Sequence, residues 1–223
     1  MRIVVTGGCG FIGSSFVHLC KNLGHEVLVI DKMTYASNED WLPIDTELLV
    51  SDICDVTEND LGEYDYLVNF AAESHVDNSI KDGKPFVKTN IEGTYNLLEL
   101  ARKNKKLKKF VQISTDEVYG DLDKLDIEAS FEQNFLYPSS YYSATKASAD
   151  MLVFSCGHTF GLPYVITRTC NNFGDRQHSE KFIPTIMKSI KEDKPIPIYG
   201  DGKQIREWIW VEDNVKEILK LML

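Results

Sequence analysis

Apolar runs alternate with segments of helical period over the first 169 residues. RIVVT (2–6), EVLVID (26–31), TELLVSD (46–52), DYLVNFAA (65–72), KKFVQIST (108–115) and PYVITRT (163–169) read as strands. Between them, FIGSSFVHLCKNL (11–23) reads as a helix with Gly24 as its stop. Residues 90–104, apolar at 91, 95, 97, 98 and 101, and residues 143–160 read as two more. Strands apolar at nearly every position are covered on both faces, which is the signature of a parallel sheet between helical layers. The predicted class is therefore α/β with a doubly wound parallel sheet.

After Thr169 the pattern changes. A loop (170–178), a helix (179–192), the extended piece PIPIYG (195–200) and IREWIWV (205–211) lead to a last helix over 211–223. Two regions are expected: 1–169 as the main domain and 170–223 as a partial, substrate-side region. Leu223 closes an amphipathic helix with no glycine or proline after it, which predicts a chain cut short.

Composition narrows the function classes. Of 223 residues 43% are hydrophobic, enough for a sizeable core, and the formal net charge is -10. That charge excludes a general affinity for nucleic acid or an anionic membrane, so any bound phosphate must be held by local geometry. No apolar run approaches the ~20 residues of a spanning helix. Met1-Arg2 leads straight into IVVTGG, which predicts no signal peptide. Cys9, Cys20, Cys54, Cys156 and Cys170 are scattered without a CxxC pair. They read as reduced thiols, and the expected location is cytoplasmic.

The candidate chemistry begins at TGGCGFIG. Gly7, Gly10 and Gly13 follow the first strand and open the first helix, where a backbone without side chains can approach a pyrophosphate. In that context the sheet is a Rossmann fold and the ligand a dinucleotide. Asp31 ends the second strand, 18 residues beyond Gly13, where a carboxylate accepts from ribose hydroxyls and repels a 2′-phosphate. NAD is favoured over NADP, although Lys32 beside it could tolerate that phosphate. Asp52, at the end of the third strand, could meet the adenine edge.

Tyr142 and Lys146 stand at i and i+4, on one helical face, while Tyr141 is off that face. A cation beside the phenol is expected to lower its pKa, so that it accepts a hydroxyl proton at neutral pH. Thr115-Asp116-Glu117 then supplies a hydroxyl and two adjacent carboxyls. Neighbouring carboxyls raise each other's pKa, so one can be an acid while the other is a base. Elimination of water needs that combination.

TGGCGFIG, NFAAESHVD, ISTDEVYG, YSATK and RTCNNFG together resemble the extended short-chain dehydrogenase/reductase superfamily, and within it the dTDP-glucose 4,6-dehydratases. The resemblance implies NAD as cofactor. It implies a nucleotide-linked sugar, dTDP- or UDP-glucose, oxidised transiently at C4, dehydrated across C5 and C6, and released as the 4-keto-6-deoxy product. It gives Thr115, Asp116 (acid), Glu117 (base), Tyr142 and Lys146 the catalytic roles, with Thr115 and Asp116 also meeting the substrate. Around the cofactor it places Gly7, Gly10, Phe11, Ile12, Gly13, Asp31, Lys32, Met33, Thr34, Asp52, Ile53, Ala71, Ala72 and Glu73, with Thr89 and Asn172 at the nicotinamide half. Ser74 and Phe182 are expected to touch the substrate, and Asn171 and Lys181 to lie at its diphosphate. Pro197, Ile198 and Tyr199 are expected to pack the nucleobase, and Arg206 to bind phosphate. No metal is implied. The helices at 90–104 and 143–160 resemble those that pair subunits, so a homodimer is expected. Family members run longer than this chain, which is why the substrate-binding lobe is expected to be incomplete. The stretch from Gly120 to Tyr141 is shorter than usual.

Two other readings stay open. One is a 4-epimerase or decarboxylase of the same superfamily, against which the Asp116-Glu117 pair argues. The other is a truncated, non-catalytic NAD-binding protein.

Overall fold

Each of the main strands grows from one of the apolar runs: the first two keep the expected bounds and the other four are trimmed. A computed structural model describes residues 1–121, 131–198, 200–203 and 205–223. Tyr199, and part of the short stretch between Gly120 and Tyr141, lie outside the described residues. The strands are β1 (Arg2–Thr6), β2 (Glu26–Asp31), β3 (Glu47–Val50), β4 (Tyr66–Asn69), β5 (Lys109–Thr115) and β6 (Tyr164–Thr169). They form one parallel sheet in the order β3-β2-β1-β4-β5-β6. That order reverses between β1 and β4, so a crevice opens at the carboxyl ends of these two strands.

Alternation along each strand sorts the core into two layers. Ile3, Val5, Val29, Val68 and Val111 pack on one face against Phe16, Val17 and Cys20 of α1 (Phe11–Asn22). The same cluster takes in Val215, Ile218 and Met222 of the last helix, α8 (Val211–Met222). On the other face Val4, Leu28, Ile30, Leu67 and Phe110 meet Leu97, Leu98 and Ala101 of α5 (Thr94–Lys103). Val153 and Cys156 of α6 (Tyr141–Phe160) complete that layer. Of the stretch 170–223, then, the closing helix belongs to the core of the main domain.

Three short helices precede α5: α2 (Glu58–Leu61), α3 (Val76–Lys81) and α4 (Lys84–Phe86). The helix expected from residue 90 begins at Lys84, and Val87–Gly93 within it is a π-helical turn. α6 begins at Tyr141 rather than 143 because Ser140 and Ser143 cap each other. Ser140 Oγ accepts from Ser143 N at 3.1 Å, and Ser143 Oγ accepts from Ser140 N at 3.0 Å. The expected loop at 170–178 contains a strand, β7 (Asn171–Phe173), which pairs in parallel with β8 (Trp208–Trp210). Between them in the chain lies α7 (Phe182–Lys191). Among the described residues no helix is long and apolar enough to cross a membrane.

Candidate active site

The crevice at the carboxyl ends is a cavity of about 470 Å³. At its floor the β1–α1 turn needs its glycines. Gly7 has φ +68°, and a Cβ there would come within 2.7 Å of Ala71 N. A Cβ on Gly13 would collide with the Gly7 carbonyl. On Gly10 it would meet only Gly7 O, at 3.3 Å, so the missing side chain clears the cavity itself. Gly10 is the N-cap of α1 and no side chain caps the helix. The first-turn N–H groups are therefore left for an anion, with the helix dipole behind them. This cradle fits a dinucleotide pyrophosphate.

The adenosine side is set by Asp31. Its buried carboxylate accepts from Cys9 N at 3.0 Å, Met33 N at 2.9 Å and Ser37 Oγ at 2.9 Å, which holds the carboxylate at the cavity wall. Burial, then the Asp31 charge, push the Cys9 thiol up to about 12. Lys32 is committed elsewhere. Its Nζ lies 3.0 Å from Glu73 Oε1 and donates to Thr89 Oγ1 at 3.0 Å. A cation so engaged is a poor anchor for a 2′-phosphate, which strengthens the preference for NAD. It also holds Thr89 beside Lys32.

The carboxyl end of β5 carries the expected catalytic set. Thr115 accepts from Glu117 N at 3.2 Å and donates to Asp116 Oδ1 at 3.2 Å, fixing the turn Asp116–Tyr119. Asp116, Glu117, Thr115, Tyr142 and Lys146 all line the cavity. Burial raises Asp116, and the Glu207 charge adds to this against the hydrogen bonds that Thr115 and the turn backbone offer. Glu117 is reachable by solvent through the cavity mouth yet hemmed in by its walls. That enclosure, then the Asp116 charge, push it up, while Lys181 and Arg206 pull it down. The acid neighbour that acts on Asp116 is thus Glu207, a residue the motif did not point to.

Tyr142 departs from the expectation. Burial, then the Glu117 charge, raise its phenol, opposed by the Thr115 hydroxyl. Lys146 is not among the groups that lower it; its buried ammonium donates to Ile113 O at 2.5 Å. Burial pulls Lys146 down to about 8, against the Asp150 charge. Tyr141 is exposed and packs its ring over Gly83, outside the cavity.

Of the other expected residues, Gly7, Gly10, Phe11, Ile12, Gly13, Thr34, Ile53, Ala71, Ala72, Glu73, Ser74, Asn171, Asn172, Lys181 and Phe182 also line the cavity. Met33, Asp52, Pro197, Ile198 and Arg206 do not. Ser51 and Ile53 face inward on either side of Asp52, whose carboxylate turns to Cys54 N at 3.0 Å and Lys88 at 3.7 Å. Pro197 and Ile198 are exposed, and Arg206 donates to Ile205 O at 2.7 Å on the surface. Residues the motifs missed include Tyr35, His178, Glu180 and Trp208, which also line the cavity. Asn90 was also missed. It is buried in the π-helical turn, accepts from Glu73 N at 2.9 Å and donates to Glu73 O at 3.1 Å and to Thr145 Oγ1 at 3.0 Å. Its only local signal is its place two residues before Glu92-Gly93, inside a helical pattern. Among the described residues no group of three or more His, Cys, Asp or Glu side chains is arranged to hold a metal ion.

A doubly wound sheet, a glycine cradle at α1 and a Tyr–Lys pair beside it define the extended short-chain dehydrogenase/reductase class. The chain belongs to the NAD dependent epimerase/dehydratase family, whose model matches residues 3–223. It is 47% identical over 223 residues to the low-salt glycan biosynthesis protein Agl12 of Haloferax volcanii, covering 96% of this chain and 70% of that protein. It is 46% identical over 234 residues to the dTDP-glucose 4,6-dehydratase of Haemophilus influenzae, covering 97% and 69%. The structure matches DesIV, a dTDP-glucose 4,6-dehydratase of Streptomyces venezuelae solved with NAD bound, at a TM-score of 0.92 and 39% identity. That match covers 100% of this chain and 72% of DesIV. It matches the UDP-glucuronic acid 4-epimerase of Bacillus cereus at 0.91 and 32% identity, covering 100% and 73%.

Proposed function

We propose that the chain is a nucleotide-sugar 4,6-dehydratase acting on dTDP-glucose or UDP-glucose. The observation that carries this reading is the pair Asp116 and Glu117, both raised, lining one cavity with Tyr142 and the dinucleotide cradle. The relatives named dTDP-glucose 4,6-dehydratase support it. Residues 1–169 hold NAD and carry the chemistry, and residues 170–210 face the substrate, with Ser74, Asn171, Lys181 and Phe182 nearest the sugar nucleotide.

NAD, held by the Gly7–Gly13 cradle, Asp31 and the Ala71–Glu73 loop, supplies when bound the reversible oxidation at C4 and reduction at C6. The chain moves the protons. Tyr142 takes the O4 proton as the phenolate that the Thr115 hydroxyl favours, and Lys146, which lines the same cavity, meets the cofactor. A ketone at C4 acidifies C5–H. Glu117 removes that proton, and Asp116, whose carboxyl burial raises, gives one to the leaving C6 hydroxyl. A cytoplasmic homodimer belongs to the same reading. Tyr95 on α5 and Met151 and Phe154 on α6 offer it exposed apolar surface.

Incubating the chain with dTDP-glucose or UDP-glucose and NAD, and weighing the product by mass spectrometry, tests the reading. A product lighter by one water is expected. A product of unchanged mass, an epimer, would overturn it, as would no reaction with either sugar nucleotide.

A further inference from the structure

A buried ionic brace lies behind the cavity. Asp150 sits on α6 one turn beyond Lys146 and two beyond Tyr142, and its side chain is fully buried. A carboxylate so placed needs a partner. It has Arg168 on β6, whose Nε donates to Asp150 Oδ2 at 2.9 Å. The guanidinium is enclosed between the rings of Tyr119 and Phe154, 5.2 and 5.9 Å from their centroids. Its Nη1 donates to the Tyr119 hydroxyl at 2.8 Å. Tyr119 closes the turn that carries Asp116 and Glu117. One planar cation therefore ties the helix bearing Tyr142 and Lys146 to the turn bearing both carboxyls. None of the three braced residues lines the cavity.

A buried ion pair is not the cheapest way to join two elements, since apolar side chains of similar volume often serve stability as well. What it adds is direction: the guanidinium fork fixes both partners in angle as well as distance. We propose that Asp150, Arg168 and Tyr119 are positioning residues that hold the Tyr142–Lys146 face in register with the Asp116–Glu117 turn. The Asp150 charge also opposes the downward pull of burial on Lys146. Burial raises Asp150 in turn, opposed by the hydrogen bond and charge of Arg168 on β6, the Lys146 charge and the hydrogen bond of Ser114 on β5.

The kinetic part of the test rests on the dehydratase reading, and the spectroscopic part does not. Tyr119→Phe removes one hydroxyl from the brace and keeps the ring. It is expected to slow water loss about 10-fold with KM unchanged, while NADH formation in a single turnover stays within about 2-fold. Equal slowing of both steps, or of neither, overturns the positioning role. In Asp150→Asn the midpoint of the Lys146 ε-carbon shift, followed by 13C NMR in the chain without substrate, is expected to fall by about one pH unit. An unchanged midpoint overturns the part given to Asp150. If Asp150→Asn does not fold, Asp150→Glu replaces it. That variant keeps the charge but displaces the fork, so it is expected to keep the midpoint and to slow water loss, and a shifted midpoint counts against the proposal. Wild-type chain that loses no water counts against the dehydratase reading, and the NMR titration still decides whether Asp150 acts on Lys146.

Discussion

The six-stranded floor and the flank formed by β7, α7 and β8 are built on opposite terms. In the floor, Phe16 and Phe110 are wholly buried and every strand packs on both faces. On the flank, α7 buries only Ser189 among its residues, and Phe182, Met187 and Ile190 are 52%, 67% and 67% exposed. Burial at about 25 cal/mol per Å² of apolar surface puts the stability in the floor. Polar contacts join the flank to it, such as Arg176 Nη2 donating to Ser15 Oγ at 2.9 Å and Asn214 Nδ2 to Asn172 Oδ1 at 2.7 Å. The difference teaches that the dinucleotide cradle is preformed by the core, while the flank, which we propose faces the substrate, is supported by few groups. Loop and flank positions are free to serve binding because they carry little of the folding energy.

Three substitutions sharpen this contrast, each read by urea unfolding. Phe16→Ala in the floor is expected to cost about 3–5 kcal/mol. A loss under about 1 kcal/mol would mean that the α1 layer does not carry the fold. Lys146→Met is expected to raise stability at pH 7 by about 2 kcal/mol while abolishing turnover. The sign follows from the shift. Lys146 falls from 10.5 to about 8 on folding, so between those values the unfolded chain binds more protons and stability rises with pH. Below about 8 the folded chain bears the cost of a buried ammonium, and methionine removes it. A less stable variant at pH 7 would show that the buried charge is fully compensated. Phe182→Ala on the flank is expected to change stability by no more than about 0.5 kcal/mol. It should raise the KM for the sugar nucleotide, since Phe182 lines the cavity and stacks on Trp208 at 6.3 Å.

The same contrast explains what was legible in the sequence. The floor could be read because each strand is a continuous apolar run and each run must be covered on both sides. The glycine turn could be read because its φ and close approaches admit little else. β7 lay in a predicted loop because three residues paired to a strand far along the chain leave no local signal. The π-helical turn escaped because one extra residue per turn barely disturbs a helical pattern. The i, i+4 spacing of Tyr142 and Lys146 gave the shared face. It did not give where the ammonium donates, and Ile113 O, brought there by the fold, takes that bond. Glu207, Asn90 and Asp150 stand in ordinary polar positions, and only the fold brings them against the motif residues.

The central claim is a division of labour, with C4 oxidation assigned to Tyr142, Thr115 and Lys146 and water loss to Asp116 and Glu117. The double variant Asp116→Asn, Glu117→Gln tests it most directly, in a single turnover with NAD and the sugar nucleotide, following NADH absorbance and product mass together. The account predicts that NADH forms and persists while the sugar keeps its water. Dehydrated product at the wild-type rate would contradict it.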